Sequence, residues 1–283
     1  KQYRTLSDRK LSYVIKNPDT DTAVAEEARR AGIQEQQMQQ FDIKSASFSL
    51  GFLGFTVQYK GRSEKVPVIK PDHPLEYQLT SAINKVAEVN IPTVAVMAPQ
   101  GNPFMGERSP FSLVPDILRQ EGYTVKTMEP GDLNDLTSDV KLLMVFEPED
   151  LSEEALFRID QFVMGGGRLF VGAGGVQVQG DPRMGGLRGT PKSPNINSIL
   201  EHYGLRINTD LVEDWARGVE QTVLTQRGIV RTVNPFLIEV QDLSETSPIT
   251  AKLAGLAMVY PSSVSPSEQG TSATYVALAE SSA

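Results

Sequence analysis

The chain has 283 residues, 40% hydrophobic and 22% charged, with 23 glycines and 18 prolines, a globular composition long enough for one large domain or two smaller ones. A net charge of −8 and an isoelectric point near 5.0 argue against a nucleic-acid surface, and no apolar run approaches the about 20 residues that span a bilayer. The absence of cysteine excludes disulfides, thiolate metal sites and cysteine nucleophiles, and two histidines, His73 and His202, leave little for a metal site or a Ser-His-Asp triad.

In chain order, Leu11 to Ile15 reads as a strand. Asn17-Pro18-Asp19-Thr20-Asp21 reads as a turn that caps a helix running to Arg30 and ending at Gly32. Its acids lack the spacing and glycine of a Ca²⁺ loop, so capping is the preferred role. From Met38 to Ile69 the pattern is β: Phe55, Val57 and Tyr59 alternate, Gly61-Arg62 turns the chain, and Val66 and Val68 alternate again, a hairpin. The cluster Gly51 to Phe55 is either an exposed contact patch or, as preferred, the core edge of that sheet. Pro74 starts a helix whose Leu75, Leu79, Ile83 and Val86 share one face, with His73 a capping or surface group before it. Asn90-Ile91-Pro92 reads as a linker, dividing an α+β segment, 1–90, from a second domain, 91–283.

The second domain opens with a short buried strand, Thr93 to Met97, followed by a loop from Ala98 to Pro103, a helix from about Phe111 to Glu121 and a strand from Tyr123 to Thr127. After Pro130-Gly131 the apolar run Leu142 to Phe146 is suited to a strand buried on both faces. Ser152 then caps a helix with Glu153 and Glu154 at its positive end, and Leu156, Ile159, Phe162 and Val163 form its core stripe. Gly165-Gly166-Gly167 stops that helix before a strand, Arg168 to Val171, that runs into Gly172-Ala173-Gly174-Gly175. Strands alternating with helices predict an α/β fold with a doubly wound, mostly parallel sheet. Ligands of such sheets lie at the strand carboxyl ends. The candidate pocket is therefore Gln100, Gly101 and Asn102; Glu147, Glu149 and Asp150; and Gly172, Ala173, Gly174 and Gly175.

Val176 to Asn195 shows no periodicity and reads as a lid or solvated loop, in which Arg183, Arg188 and Lys192 could offer an anion site. Ile196 to Tyr203 reads as a helix, with His202 suited to its last turn, and Leu205 to Ile207 as a strand. Beyond Arg217, short strands are expected at Val219–Leu224, Ile229–Val233, Phe236–Val240 and Tyr275–Leu278, with helical spacing only from Pro248 to Leu256. The glycine turn meets neither the dinucleotide fingerprint nor the P-loop pattern, so no cofactor is expected. Glu147, Glu149 and Asp150, with Asp214 elsewhere, could serve a carboxylate-dependent hydrolase, although acids at a helix start already have a dipole reason to be there.

Four stretches, in order, resemble the extracytoplasmic part of the GldG-like auxiliary proteins of bacterial ABC transporters, known from gliding motility. They are Asn17-Pro18-Asp19 with the helix to Gly32, the helix Leu75 to Ile83, the unit Leu151 to Gly167, and Ile196 to Asp214. The resemblance covers roughly residues 8 to 215. It implies a non-catalytic, periplasm-facing subunit working with an ABC permease and ATPase, held at the membrane only through an anchor outside this chain. It also implies a flavodoxin-like domain similar to class I glutamine amidotransferases, in which Gly172 stands where the nucleophilic cysteine would sit. The vacated pocket would then bind a small molecule, a peptide segment or nothing. The alternatives are the hydrolase named above and a purely structural assembly module.

Overall fold

Asp21 accepts a hydrogen bond from the Ala23 amide (2.9 Å), and from that cap helix α1 runs Thr22–Arg30. The computed structural model describes residues 10–18, 21–42, 45–70, 74–87, 91–101, 109–148, 150–180, 186–225, 228–267 and 273–282. The chain divides into two compact units, Lys1–Ile91 and Pro92–Ala283.

In the first unit, Gly32 at φ 79° turns the chain out of α1. Two antiparallel hairpins follow: β1 (Glu35–Asp42) with β2 (Ser45–Phe52), and β3 (Phe55–Tyr59) with β4 (Arg62–Val66). The expected hairpin is present, but its turn is made by Lys60 and Gly61, both at positive φ, one residue earlier than Gly61-Arg62; Arg62 opens β4, which ends at Val66 short of Val68. Gly54, between the hairpins, has no room for a side chain, since a Cβ would meet the Val66 carbonyl oxygen at 2.6 Å. The cluster Gly51 to Phe55 is therefore mostly packed, with Gly51 buried and Leu53 exposed. Helix α2 (Leu75–Ala87) packs on β3 and β4. Its buried residues are Ala82 and Val86, while Leu75, expected on the core face, is exposed in the first turn. Leu11 to Ile15 forms no strand despite its composition, because no described strand pairs with it. His73 lies outside the described residues.

The second unit is built on a four-stranded parallel sheet of order β6-β5-β7-β8, from β5 (Thr93–Met97), β6 (Thr124–Met128), β7 (Val140–Phe146) and β8 (Arg168–Gly172). Every residue of β5 is buried, as expected of a central strand covered on both faces. Helix α3 (Val114–Gln120) connects β5 to β6, and a 3-10 helix (Pro130–Asp135) precedes β7. Helix α4 (Glu153–Met164) connects β7 to β8, capped by Ser152, whose hydroxyl accepts from the Ala155 amide. Because β5 leads to one side and β7 to the other, the right-handed crossover rule puts α3 and α4 on opposite faces. The expected α/β fold is present: a parallel sheet flanked by helices, consistent with a flavodoxin-like arrangement. On the α4 face Leu143, Val145, Ala155 and Ile159 are fully enclosed, with Ile196, Ile199 and Leu200 closing the layer.

After β8 the chain departs from expectation. Val176 to Asn195 is not a structureless loop, because β9 (Val176–Gly180) and β10 (Leu187–Pro191) pair as an antiparallel hairpin. The Val-Gln-Val-Gln alternation carried that strand signal, and glycine and proline in the returning arm hid it. Helix α5 is a single turn (Asn197–Leu200), and the turns that follow lead into β11 (Leu205–Ile207). The strands expected at Ile229–Val233 and Phe236–Val240 are one long strand, β13 (Gly228–Val240), paired with β12 (Gly218–Thr225). Pro235, which has no N–H to give a ladder, falls where the register shifts beside Gly218 and Val219. Strands β14 (Asp242–Leu243), β15 (Leu256–Val259), β16 (Val264–Pro266) and β17 (Ala279–Glu280) complete the chain. The stretch expected to be helical from Pro248 to Leu256 is instead turns and bends up to Gly255, with the Thr250 hydroxyl bound to the Ser244 carbonyl, before Leu256 opens β15, and Tyr275 to Leu278 is not a strand.

Ile159 is fully enclosed and Phe157, on the same helix, is 56% exposed. Ile159→Ala should lower stability by about 2–5 kcal/mol and Phe157→Ala by less than about 0.5 kcal/mol in denaturant titrations. Equal losses would mean that α4 presents a different face to the sheet.

Candidate functional site

The carboxyl ends of the parallel strands carry the residues singled out in the sequence, and the structure joins several of them. Glu147 follows β7 with φ 38°, a conformation uncommon for a residue with a side chain. Its amide donates to the Gly172 carbonyl (2.8 Å), and its carboxylate reaches two further groups. Oε1 accepts from the Gly174 amide (3.1 Å), and Oε2 accepts from Lys192 Nζ (2.7 Å). The Lys192 amide in turn donates to the Gly175 carbonyl (2.7 Å). One half-buried carboxylate thus holds the glycine turn on one side and the root of the β9–β10 hairpin on the other.

Gly175 is fixed by a different neighbour. Its amide donates to Ser262 Oγ (2.8 Å), whose hydroxyl donates to the Asp210 carbonyl (2.7 Å). A Cβ on Gly175 would lie 1.9 Å from the Asn208 carbonyl oxygen, so only glycine fits. The Asp210 carboxylate accepts from both the amide and the hydroxyl of Ser263 (2.8 and 2.6 Å). At Gly172 a Cβ would come within 3.0 Å of the Phe146 ring, which stacks on Phe111 at 4.8 Å between centroids. Ala173 packs against the α4-side core.

The other candidates lie apart from this clip. Gln100 donates to Glu129 (2.5 Å) after β6, and no polar contact joins Gly101 to the glycine turn among the described residues. Asp150, at φ 36°, lines an open depression of about 230 Å³ with Gly131, Asn134, Ser152 and Arg158. Arg188 stands exposed on β10, a strand position rather than the loop expected. Asn102, Glu149 and Arg183 lie outside the described residues. Among the described residues no group of His, Asp and Glu could hold a metal ion.

Sequence reasoning missed the paired amides that brace this edge. Asn195 accepts from the Leu151 amide and donates to its carbonyl, and buried Asn197 does the same for Ile207. It missed Ser262 as well, because nothing local marks a residue whose partner is 87 positions away. Asp214, considered above as a distant carboxylate, is 3% exposed and saturated by donors: the Ser282 hydroxyl and amide (2.7 and 2.8 Å) and the Arg217 amide (3.0 Å). The Ser282 hydroxyl foremost, with those amides and against the opposing effect of burial, holds its carboxyl below the ordinary value. At the amino ends of the strands Asp139 is lowered to about 2, chiefly by the Thr137 hydroxyl. Burial foremost, and then Asp160, pushes the Tyr203 hydroxyl up to about 12; that hydroxyl donates to Asp160 on α4 (2.8 Å).

Comparison with known proteins adds two findings. A family described as "ABC-type uncharacterized transport system" matches residues 92–283, the whole of the second unit. Among curated proteins, an uncharacterized protein of Borreliella burgdorferi is 24% identical over 208 residues, which cover 72% of this chain and 40% of that protein. The chain thus spans well under half the length of that relative. No solved structure matches the chain.

Two outcomes test this geometry. Glu147→Ala strands both the Gly174 amide and Lys192, and should cost about 1–3 kcal/mol in denaturant titrations, whereas Lys192→Met, which leaves the amide bond in place, should cost less. Because the folded-state pKa of Asp214 is depressed, its ionised form stabilises the fold fully above the unfolded value of about 3.9, and that contribution is lost as pH falls toward the lower folded value. Thermal melts of the wild type should therefore fall more steeply than those of Asp214→Asn below about pH 5. Parallel curves would remove Asp214 from the account.

Proposed function

We propose that the chain, which belongs to the ABC-type uncharacterized transport system family, is a non-catalytic auxiliary subunit that works beside the permease and ATPase of such a system. The observation that carries this reading is the family match over the entire second unit. The site agrees with it. The glycine turn spends its amides on Glu147 and Ser262, the Phe146 ring crowds the place where a side chain on Gly172 would begin, and the chain has no cysteine. Of the carboxylates a hydrolase would draw on, Glu147 is paired with Lys192, Asp214 is buried under three donors, and Asp150 lines an open depression apart from the glycine turn.

The resemblance to GldG-like proteins refines the proposal to an extracytoplasmic subunit whose second unit is an amidotransferase-like domain without its nucleophile. Among the described residues no helix is long and apolar enough to cross a membrane; the proposal includes an anchor outside this chain. The expected result of affinity capture from detergent-solubilised native membranes is co-recovery of an ABC permease and its ATPase, together with protease accessibility of the chain from the outer face. Recovery without either subunit would contradict the proposed role. Turnover of an ester, amide or glycoside panel that Glu147→Gln abolishes would contradict its non-catalytic character.

A further inference from the structure

We propose that β15 is a self-association edge: two copies of the chain pair their β15 strands antiparallel about a two-fold axis, with Met258 facing Met258 of the second copy. The strand lies at one side of the three-stranded antiparallel sheet of order β12-β13-β15. Its register against β13 matches Met258 to Ile238 and Leu256 to Val240. The Tyr260 amide continues that ladder to the Phe236 carbonyl (2.8 Å). Antiparallel pairing alternates, so Leu256, Met258 and Tyr260 turn their backbone groups toward β13, and Ala257 and Val259 turn theirs outward. Neither the Ala257 nor the Val259 amide has a hydrogen-bond partner among the described residues.

Side chains make this edge more sociable than its counterpart. All four residues of β15 are exposed, although they alternate between the two faces of the sheet, and Val259 is 67% exposed. Ile249 and Leu253, in the turns just before the strand, are exposed as well. Sheets guard their free edges with charges, prolines and irregularities. At the opposite edge β12 carries a charge, Glu220. Within β15, Leu-Ala-Met-Val, there is none.

Charge selects the occupant. The chain carries a net charge of −8, so copies repel one another over most of their surface. From Thr246 to Ser267 the only charged side chain is Lys252, and exposed Glu239 on β13, the register partner of Ala257, would lie in line with Leu237 rather than Glu239 of the second copy, so two copies can meet there without acids set directly against each other. The same lack of charge gives an acidic or basic partner nothing to recognise. The strand is also complementary to itself. Centred on Met258, a two-fold sets Ala257 of each copy against Val259 of the other, and each pair exchanges two N–H···O bonds.

A single thiol tests the geometry, since the chain contains no cysteine. Opposed residues of a non-hydrogen-bonded antiparallel pair have Cα atoms about 4.5 Å apart, within the span that a disulfide bridges. Under mild oxidation Met258→Cys should form a covalent dimer many-fold faster than Gln177→Cys, an exposed position on β9. In light scattering at the highest soluble concentration, the wild type should show the dimer mass. Val259→Pro, which removes only an outward amide, should shift it to the monomer with the circular dichroism spectrum unchanged. A wild type that stays monomeric would overturn the proposal. So would a dimer in which Met258→Cys cross-links no faster than Gln177→Cys.

Discussion

The structure of the second unit depends on a close approach: Gly175 lies so near the Asn208 carbonyl that even a methyl group has no place. That contact brings the end of β8 against the segment around residues 208–210, and Ser262 joins them through the Gly175 amide and the Asp210 carbonyl. Glu147 then fastens the preceding glycine and the returning end of the β9–β10 hairpin to the end of β7. The parallel sheet and the strand-rich C-terminal part are thereby joined at the edge where α/β sheets usually hold a ligand. Here that edge is occupied by the protein's own groups.

Such an arrangement separates architecture from chemistry. A strand, a tight glycine turn and a neighbouring acid and base are parts that enzymes of this layout use, yet fold alone does not assign function. An acid paired with a lysine at 2.7 Å, and amides already bonded, have little left for a substrate. The family match places the second unit among proteins of the ABC-type uncharacterized transport system family, and the bonding at this site supports the non-catalytic role proposed above.

What could be read from the sequence divides by physical range. The unit from Val140 to Gly172 was legible because each signal is local: an apolar run for a strand buried on both faces, Ser152 as a cap, and glycines that stop α4 before β8. The turn at Gly61 was legible for the same reason. The break expected between Val233 and Phe236 is absent because Pro235 to Leu237 form a bulge within β13, unmatched between the partners of Val219 and Gly218, and such a register shift cannot be seen from either strand alone. The candidate site was half legible. Its address at the strand carboxyl ends followed from the alternation of elements, but its occupants did not. Lys192 lies 45 residues from Glu147 and Ser262 lies 87 from Gly175, and no local pattern encodes such pairings.

Hydrogen exchange at the Gly174 and Gly175 amides tests the closed-site account most directly. The account predicts that both amides are protected in the native protein, and that Glu147→Ala releases Gly174 while Gly175, held by Ser262, stays protected. Exchange of both amides at the rate of an unstructured chain in the wild type would contradict it, and would return the glycine turn to the role of an open binding site.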